Sequence, residues 1–179
     1  MPSPVRSPRP DAVTRTWGGV KVRLRPQRRD DRDLLAGFFA ALSPASRHRR
    51  FLQPLDRLPE GMLRHLLAVD GYRHAALVAT VGGECVGIAR YIALSGEPGV
   101  AEVALTVADH HQGRGIGRLL VEALRAPAAS AGIRTFVYLV HPENRAALGL
   151  LHSLGVQPVW SGGLFEGREP LPAPAPAAA

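Results

Sequence analysis

The sequence predicts one α/β domain of the α+β kind, a mixed sheet with helices on both faces. Three observations carry this. The 179 residues, 46% of them hydrophobic, suffice for one packed core and are cramped for two. Segments of two-residue and of helical periodicity alternate in the order βαααβββαβαββ. Two Gly-Gly pairs, Gly82-Gly83 and Gly162-Gly163, each separate strand-like runs as hairpin turns do.

The elements follow in order. Residues 1–17 carry four prolines and little apolar content, and read as an unstructured tail. VKVRLRP alternates as a strand does. DDRDLLAGFFAALS spaces Leu34, Leu35, Phe38, Phe39 and Leu42 on one helical face, with acids near its start. Ser43 and Pro44 open SPASRHRRF as a cap and a first-turn residue. PEGMLRHLLAVD gives a further short helix. HAALVATV and CVGIARYIAL form a hairpin, and VAEVALTVA the next strand. Ile116, Leu119, Leu120, Ala123 and Leu124 make an amphipathic helix that Pro127 should kink or end. RTFVYLV is a strand, ENRAALGLLHSLG a helix closed by Gly155, and QPVWS with GLFEGREP a last hairpin. The folded domain is expected over 18–171, with a Pro/Ala tail at 172–179.

Composition narrows the function classes. No run approaches the roughly 20 apolar residues that cross a bilayer. MPSPVRSPRPDAV lacks the apolar core of a secretory signal, so a cytoplasmic protein is expected. Cys85 is the single cysteine, which excludes an internal disulfide and a cysteine-rich metal site. The net charge of +7 is concentrated in residues 1–64, which hold 14 of the 22 Lys and Arg residues. All but Lys21 are arginine, beside abundant Ala, Pro and Gly, which points to codon bias; the basic front half would also suit an acidic partner. No basic–aromatic strip or reading helix appears, so nucleic acid is not expected.

The stretch HHQGRGIGRLL sits between the last residues of a strand and the start of a helix. Glycines there bring backbone N–H groups close to a ligand. The first N–H groups of the helix lack internal partners and lie at the positive end of its dipole, so the junction suits a diphosphate. A nucleotide triphosphatase loop would end Gly-Lys-Ser/Thr, but Arg118 and Leu119 follow Gly117. A dinucleotide fingerprint needs another glycine spacing and an acid ending the next strand. A tight turn without a ligand is the remaining alternative. His110-His111 has no supporting ligand at metal-binding spacing, so no metal is expected.

Gln112, Gly115 and Gly117 spell Q-x-x-G-x-G, which resembles the acyl-CoA loop of the GNAT superfamily of N-acetyltransferases. The resemblance runs from about Lys21 to Leu171. SPASRHRRF, AEVALTVADHHQGRGIG and HPENRAALGLLHSLG look most like the catalytic domain of bacterial protein lysine acetyltransferases. It implies a mostly antiparallel central sheet of six to seven strands, two of them splayed apart, with acetyl-CoA as donor. It lays the pantetheine arm along Leu105, Thr106 and Val107. The diphosphate falls on Gln112, Gly113, Arg114, Gly115, Ile116, Gly117 and Arg118, and Asn144 lies near the amide arm; alternatively, Asn144 caps a helix.

A lysine acceptor, of ordinary pKa about 10.4, is neutral in only about 4 molecules per 10,000 at pH 7, so transfer gains from a base. Glu102 is the one ionisable residue from Val100 to Ala108, and an apolar strand should raise its pKa. The resemblance makes it the base; the alternative is a frayed strand start or a partner of a nearby arginine. Two departures from the pattern stand out. A tyrosine that protonates the leaving thiolate is common seven residues after the asparagine, where this chain has Leu151; His111 stands where an aromatic residue is common. The cluster Arg47, His48, Arg49 and Arg50 reads as a solvated face or as an acceptor wall suited to an acidic-surfaced protein. Cys85 reads as a small buried thiol.

The expected activity is direct acetyl transfer to a primary amine, a protein lysine by resemblance. A small amine as acceptor, or a CoA-binding sensor or adaptor with little turnover, are the alternatives. Oligomeric state is left open.

Overall fold

The computed structural model describes residues 13–17 and 19–172. Residues 1–12 and 173–179, read from sequence as tails, lie outside the described residues.

One eight-stranded sheet organises the chain. Strands β1 (Val13–Trp17), β2 (Val20–Pro26), β3 (His74–Val81), β4 (Glu84–Ala93) and β5 (Val100–Val107) lie in sequence order. They are followed across the sheet by β6 (Thr135–Val140), β8 (Leu164–Pro170) and β7 (Val159–Ser161). Every neighbouring pair is antiparallel except β5 with β6. The expected tail therefore ends earlier than residue 17: Val13–Trp17 pairs residue by residue with Val20–Leu24 and extends the predicted sheet by one edge strand. Both Gly-Gly turns take positive φ at both residues, the backbone that matches the twist of a two-residue hairpin.

Strand periodicity divides the core into two layers. Val78 and Ile88 face helices α1 (Arg32–Ala41) and α3 (Glu60–Leu67), packing with Leu35, Phe38, Leu42, Leu63 and Leu66. Ala79, Ala89 and Tyr91 face the other way, toward Ile116, Leu120 and Leu124 of α4 (Ile116–Ser130). Helix α2 (Pro44–Phe51) is capped as expected, Ser43 accepting from the Ser46 N–H at 3.2 Å with Pro44 in the first turn. Pro127 does not end α4. Burial of Ala128 and Ala129 carries the helix on to Ser130, against the loss of one backbone donor near its end.

The parallel pair sets up the site. Its register covers only Val100–Glu102 against Thr135–Val137. Val103–Val107 stays paired with β4, and Tyr138–Val140 with β8, so the two strands part beyond Glu102. A gap opens in the middle of the sheet.

Candidate functional site

The gap leads into a cleft of about 410 Å³ bounded by β5, the glycine turn, the first turn of α4 and α5 (Arg145–Ser153). Ten residues singled out in the sequence line it together: Leu105, Thr106, Val107, Gln112, Gly113, Gly115, Ile116, Gly117, Arg118 and Asn144. Arg114 is exposed and lies outside this lining.

The floor is built from backbone. Gly113 and Gly115 adopt φ of +72° and +78°, a conformation that side chains disfavour. No side chain caps α4, so its opening N–H groups are left for whatever enters the cleft. A Cβ on Gly117 would stand 3.2 Å from the Leu105 Cδ2 and 3.5 Å from the Leu150 Cδ2, so glycine lets the helix start pack against β5 and α5. Arg118 is held by Glu122 one turn on, at 2.8 Å.

The side chains around the turn tie it to α2. Gln112 bends back, its Nε2 donating to the Val107 carbonyl at 3.0 Å. Asp109 accepts from the Ser43 N–H at 2.9 Å and from the Ser43 and Ser46 hydroxyls, both at 2.7 Å. Burial alone would raise the Asp109 carboxyl, but these donors outweigh it and hold it below its ordinary value. Asp109→Asn is expected to destabilise the protein by about 1 kcal/mol, since these are charge-assisted bonds at a solvated site. An unchanged urea midpoint would remove the tie from the account.

Asn144 caps a helix, the alternative to a cofactor contact. Its Oδ1 accepts from the Ala147 N–H at 3.2 Å and caps α5, and the residue also lines the cleft. His111 lines the cleft with a buried Nδ1 that lacks a partner. Burial, with His110 and Arg114 beside it, holds that imidazole below its ordinary pKa. Leu151 is 2% exposed and belongs to the core, and no tyrosine lines the cleft among the described residues.

Glu102 departs from expectation in its surroundings. It sits on the last registered pair before β5 and β6 separate, but its side chain is exposed, so the apolar burial expected of it is absent. Strand alternation explains this: Ala101 and Val103 take the buried face beneath α4, leaving Glu102 on the opposite face. Cys85 is half-buried and its thiol is pushed up to about 11 by burial, which makes it a poor nucleophile.

Sequence reading missed part of the wall. Ser46, Arg49 and Arg50 of α2 reach the cleft, as do Ala147, Gly149 and Leu150 of α5. Arg49 and Arg50 belong to the basic cluster read as a solvated face or an acceptor wall, Ser46 stands out by no motif, and the small residues of α5 carry no chemical signal. His48 also meets His141 at the end of β6, ring centroids 5.4 Å apart. Among the described residues no helix is long and apolar enough to cross a membrane, and no group of three or more His, Cys, Asp or Glu could hold a metal ion.

Comparison with known proteins agrees with this geometry. Acetyltransferase PA5475 of Pseudomonas aeruginosa is 38% identical over 141 residues, which cover 76% of this chain and 75% of that protein. Acetyltransferase Pat of Mycolicibacterium smegmatis is 36% identical over 115 residues, 63% of this chain and 34% of that longer protein. The GNAT domain of S. lividans PAT superposes with a TM-score of 0.84 at 29% identity, covering 89% of this chain and 97% of that domain. The protein yncA of Salmonella typhimurium, solved with its cofactor acetyl-CoA, shares the fold at 22% identity and a TM-score of 0.65, over 88% of this chain and 96% of that one. Residues 37–156 match the acetyltransferase (GNAT) family, and the chain belongs to it.

Proposed function

We propose that the protein is an acetyl-CoA-dependent N-acetyltransferase that passes the acyl group directly to a primary amine, a protein lysine being the favoured acceptor. The single observation that carries the reading is the junction of two features: β5 and β6 part at Glu102, and the gap runs onto an uncapped, glycine-lined helix start. Residues of the cleft fit the donor. The open N–H groups of α4 suit a diphosphate, and the unpartnered His111 Nδ1 offers a further polar contact. The exposed strand backbone of Leu105 to Val107 suits an amide-bearing arm. The presence of acetyl-CoA with the structurally similar Salmonella protein, and the naming of two relatives as PAT or Pat, support donor and acceptor class respectively.

Acetyl-CoA supplies an acyl carbon held as a thioester, whose C–S bond breaks as the C–N bond forms, the electron pair leaving on sulfur. Glu102 accepts the amine proton, directly or through water. With Leu151 in the core and no tyrosine lining the cleft among the described residues, the thiolate leaves without a tyrosine acid. Thiol release from acetyl-CoA in the presence of lysine-bearing protein is the test. Stoichiometric thiol and acetyl-lysine are expected; CoA binding without thiol from any acceptor would favour a sensor or adaptor. Release with polyamines or amino acids alone would favour a small-molecule enzyme. Comparing acetylated proteins in cells with and without the gene then names the acceptor.

A further inference from the structure

A small pocket beside the cleft carries two guanidinium groups that no carboxylate among the described residues pairs with. Arg90, on β4, is 3% exposed, and its partners are neutral: the Leu66 carbonyl and the Gln27 Oε1, both at 2.9 Å, and the His74 Nε2 at 3.0 Å. His74 brings no charge to the cluster at neutral pH. Burial, with the positive charge of Arg90, holds its ring down to about 4. Arg50, half-buried on α2, rests 4.8 Å over the Phe51 ring and has no hydrogen-bond partner among the described residues; it feels the field of Glu102 without pairing to it. Burial pulls Arg50 down to about 10 and Arg90 to about 9, Arg50 adding to the effect on Arg90. Both remain cationic at neutral pH. Like charges drawn into one apolar setting are costly unless an anion joins them.

Both arginines line this pocket, which is walled by Phe38, Phe51, Leu58 and Ile88. Its free space of about 30 Å³ holds the centres of one or two water-sized groups, the scale of a carboxylate and not of a long chain. Arg50 and Thr106 line this pocket and the cleft alike, so the pocket is reached from the strand along which the donor arm lies.

We infer that this pocket receives the terminal carboxylate of a short acyl chain, so that dicarboxylic acyl-CoA thioesters of malonyl or succinyl length serve as donors beside acetyl-CoA. The inference rests on the reading of the cleft as a CoA thioester site. The terminal carboxylate takes no part in the transfer; it is held while the thioester carbonyl at the other end of the chain is attacked.

Calorimetry on the full chain with CoA, butyryl-CoA and succinyl-CoA tests it, the last two being of matched chain length. Succinyl-CoA is expected to bind at least about tenfold more tightly than butyryl-CoA, the gain of a charge-assisted pair. In Arg50→Gln that ratio should fall to within about twofold, circular dichroism confirming the fold. A ratio near one in the wild type beside normal CoA binding, or a ratio that survives in Arg50→Gln, overturns the inference alone. Failure of CoA itself to bind overturns the cleft reading and this inference with it. Binding of free amino carboxylates to the CoA-saturated protein that depends on Arg50, with a donor ratio near one, overturns the donor assignment and moves the carboxylate to the acceptor.

Discussion

Glu102→Gln lowers acyl transfer by about 10²- to 10⁴-fold while the Kd for acetyl-CoA changes by less than about threefold. The magnitude is that of a lost general base. The substitution keeps the shape of the side chain and removes its charge, and with it the capacity to take a proton. The fold has little reason to respond, because the side chain is exposed and makes no hydrogen bond among the described residues. Its backbone stays in register with Ile92 on one side and Val137 on the other. The cofactor wall begins farther along β5, at Leu105, so donor affinity is a fair internal control. Initial rates with a lysine-bearing protein, beside calorimetry with acetyl-CoA, decide the matter. Undiminished turnover would take Glu102 out of the chemistry and leave proton removal to water.

Gly117→Asp is expected to weaken CoA binding by 100-fold or more, and Gly117→Ala by less than about tenfold. The alanine methyl meets only the flexible ends of Leu105 and Leu150, at 3.2 and 3.5 Å, which can yield by a few tenths of an ångström. The aspartate adds a negative charge at the first turn of α4, beside the N–H groups on which a diphosphate would rest. At about 5 Å and an effective dielectric near 20, one such pair of charges costs about 3 kcal/mol, above the roughly 2.7 kcal/mol that makes 100-fold. Gly117→Asn, of the aspartate's size without its charge, separates shape from charge. Equal losses would mean that the turn is a packing feature, and an aspartate variant with wild-type affinity would remove the diphosphate from the turn.

Local chemistry wrote much of this site into the sequence. The Gly-Gly hairpins, the Ser43-Pro44 helix start and the glycine turn before α4 each depend on residues next to one another. For the same reason nine predicted cofactor residues, from Leu105 to Arg118, fall together on the cleft: a turn and the strand and helix flanking it cannot be far apart, whereas Asn144 arrives from the start of α5. What escaped depends on distant partners. Val13–Trp17 follows a proline-rich run and becomes a strand only because β2 offers it an edge. The exposure of Glu102 could not be read from its apolar neighbours, since alternation fixes two faces but not which one is covered. Arg90 sits in a strand pattern that would place an arginine at the surface, and only the meeting of Gln27, Leu66 and His74 makes its burial possible. The separation of β5 from β6 is long-range by nature.

The single carboxylate of Asp109 anchors the start of α2 at the very residue from which the glycine turn departs. Because the folded chain keeps it ionised to lower pH than a free aspartate, this anchorage is at full strength above about pH 4, the free value, and slackens as acid protonates it. Protonation of this carboxylate at low pH should thus part wall from floor, recoverably on neutralisation. The acidic limb of its rate profile will then record a mechanical failure of the cleft.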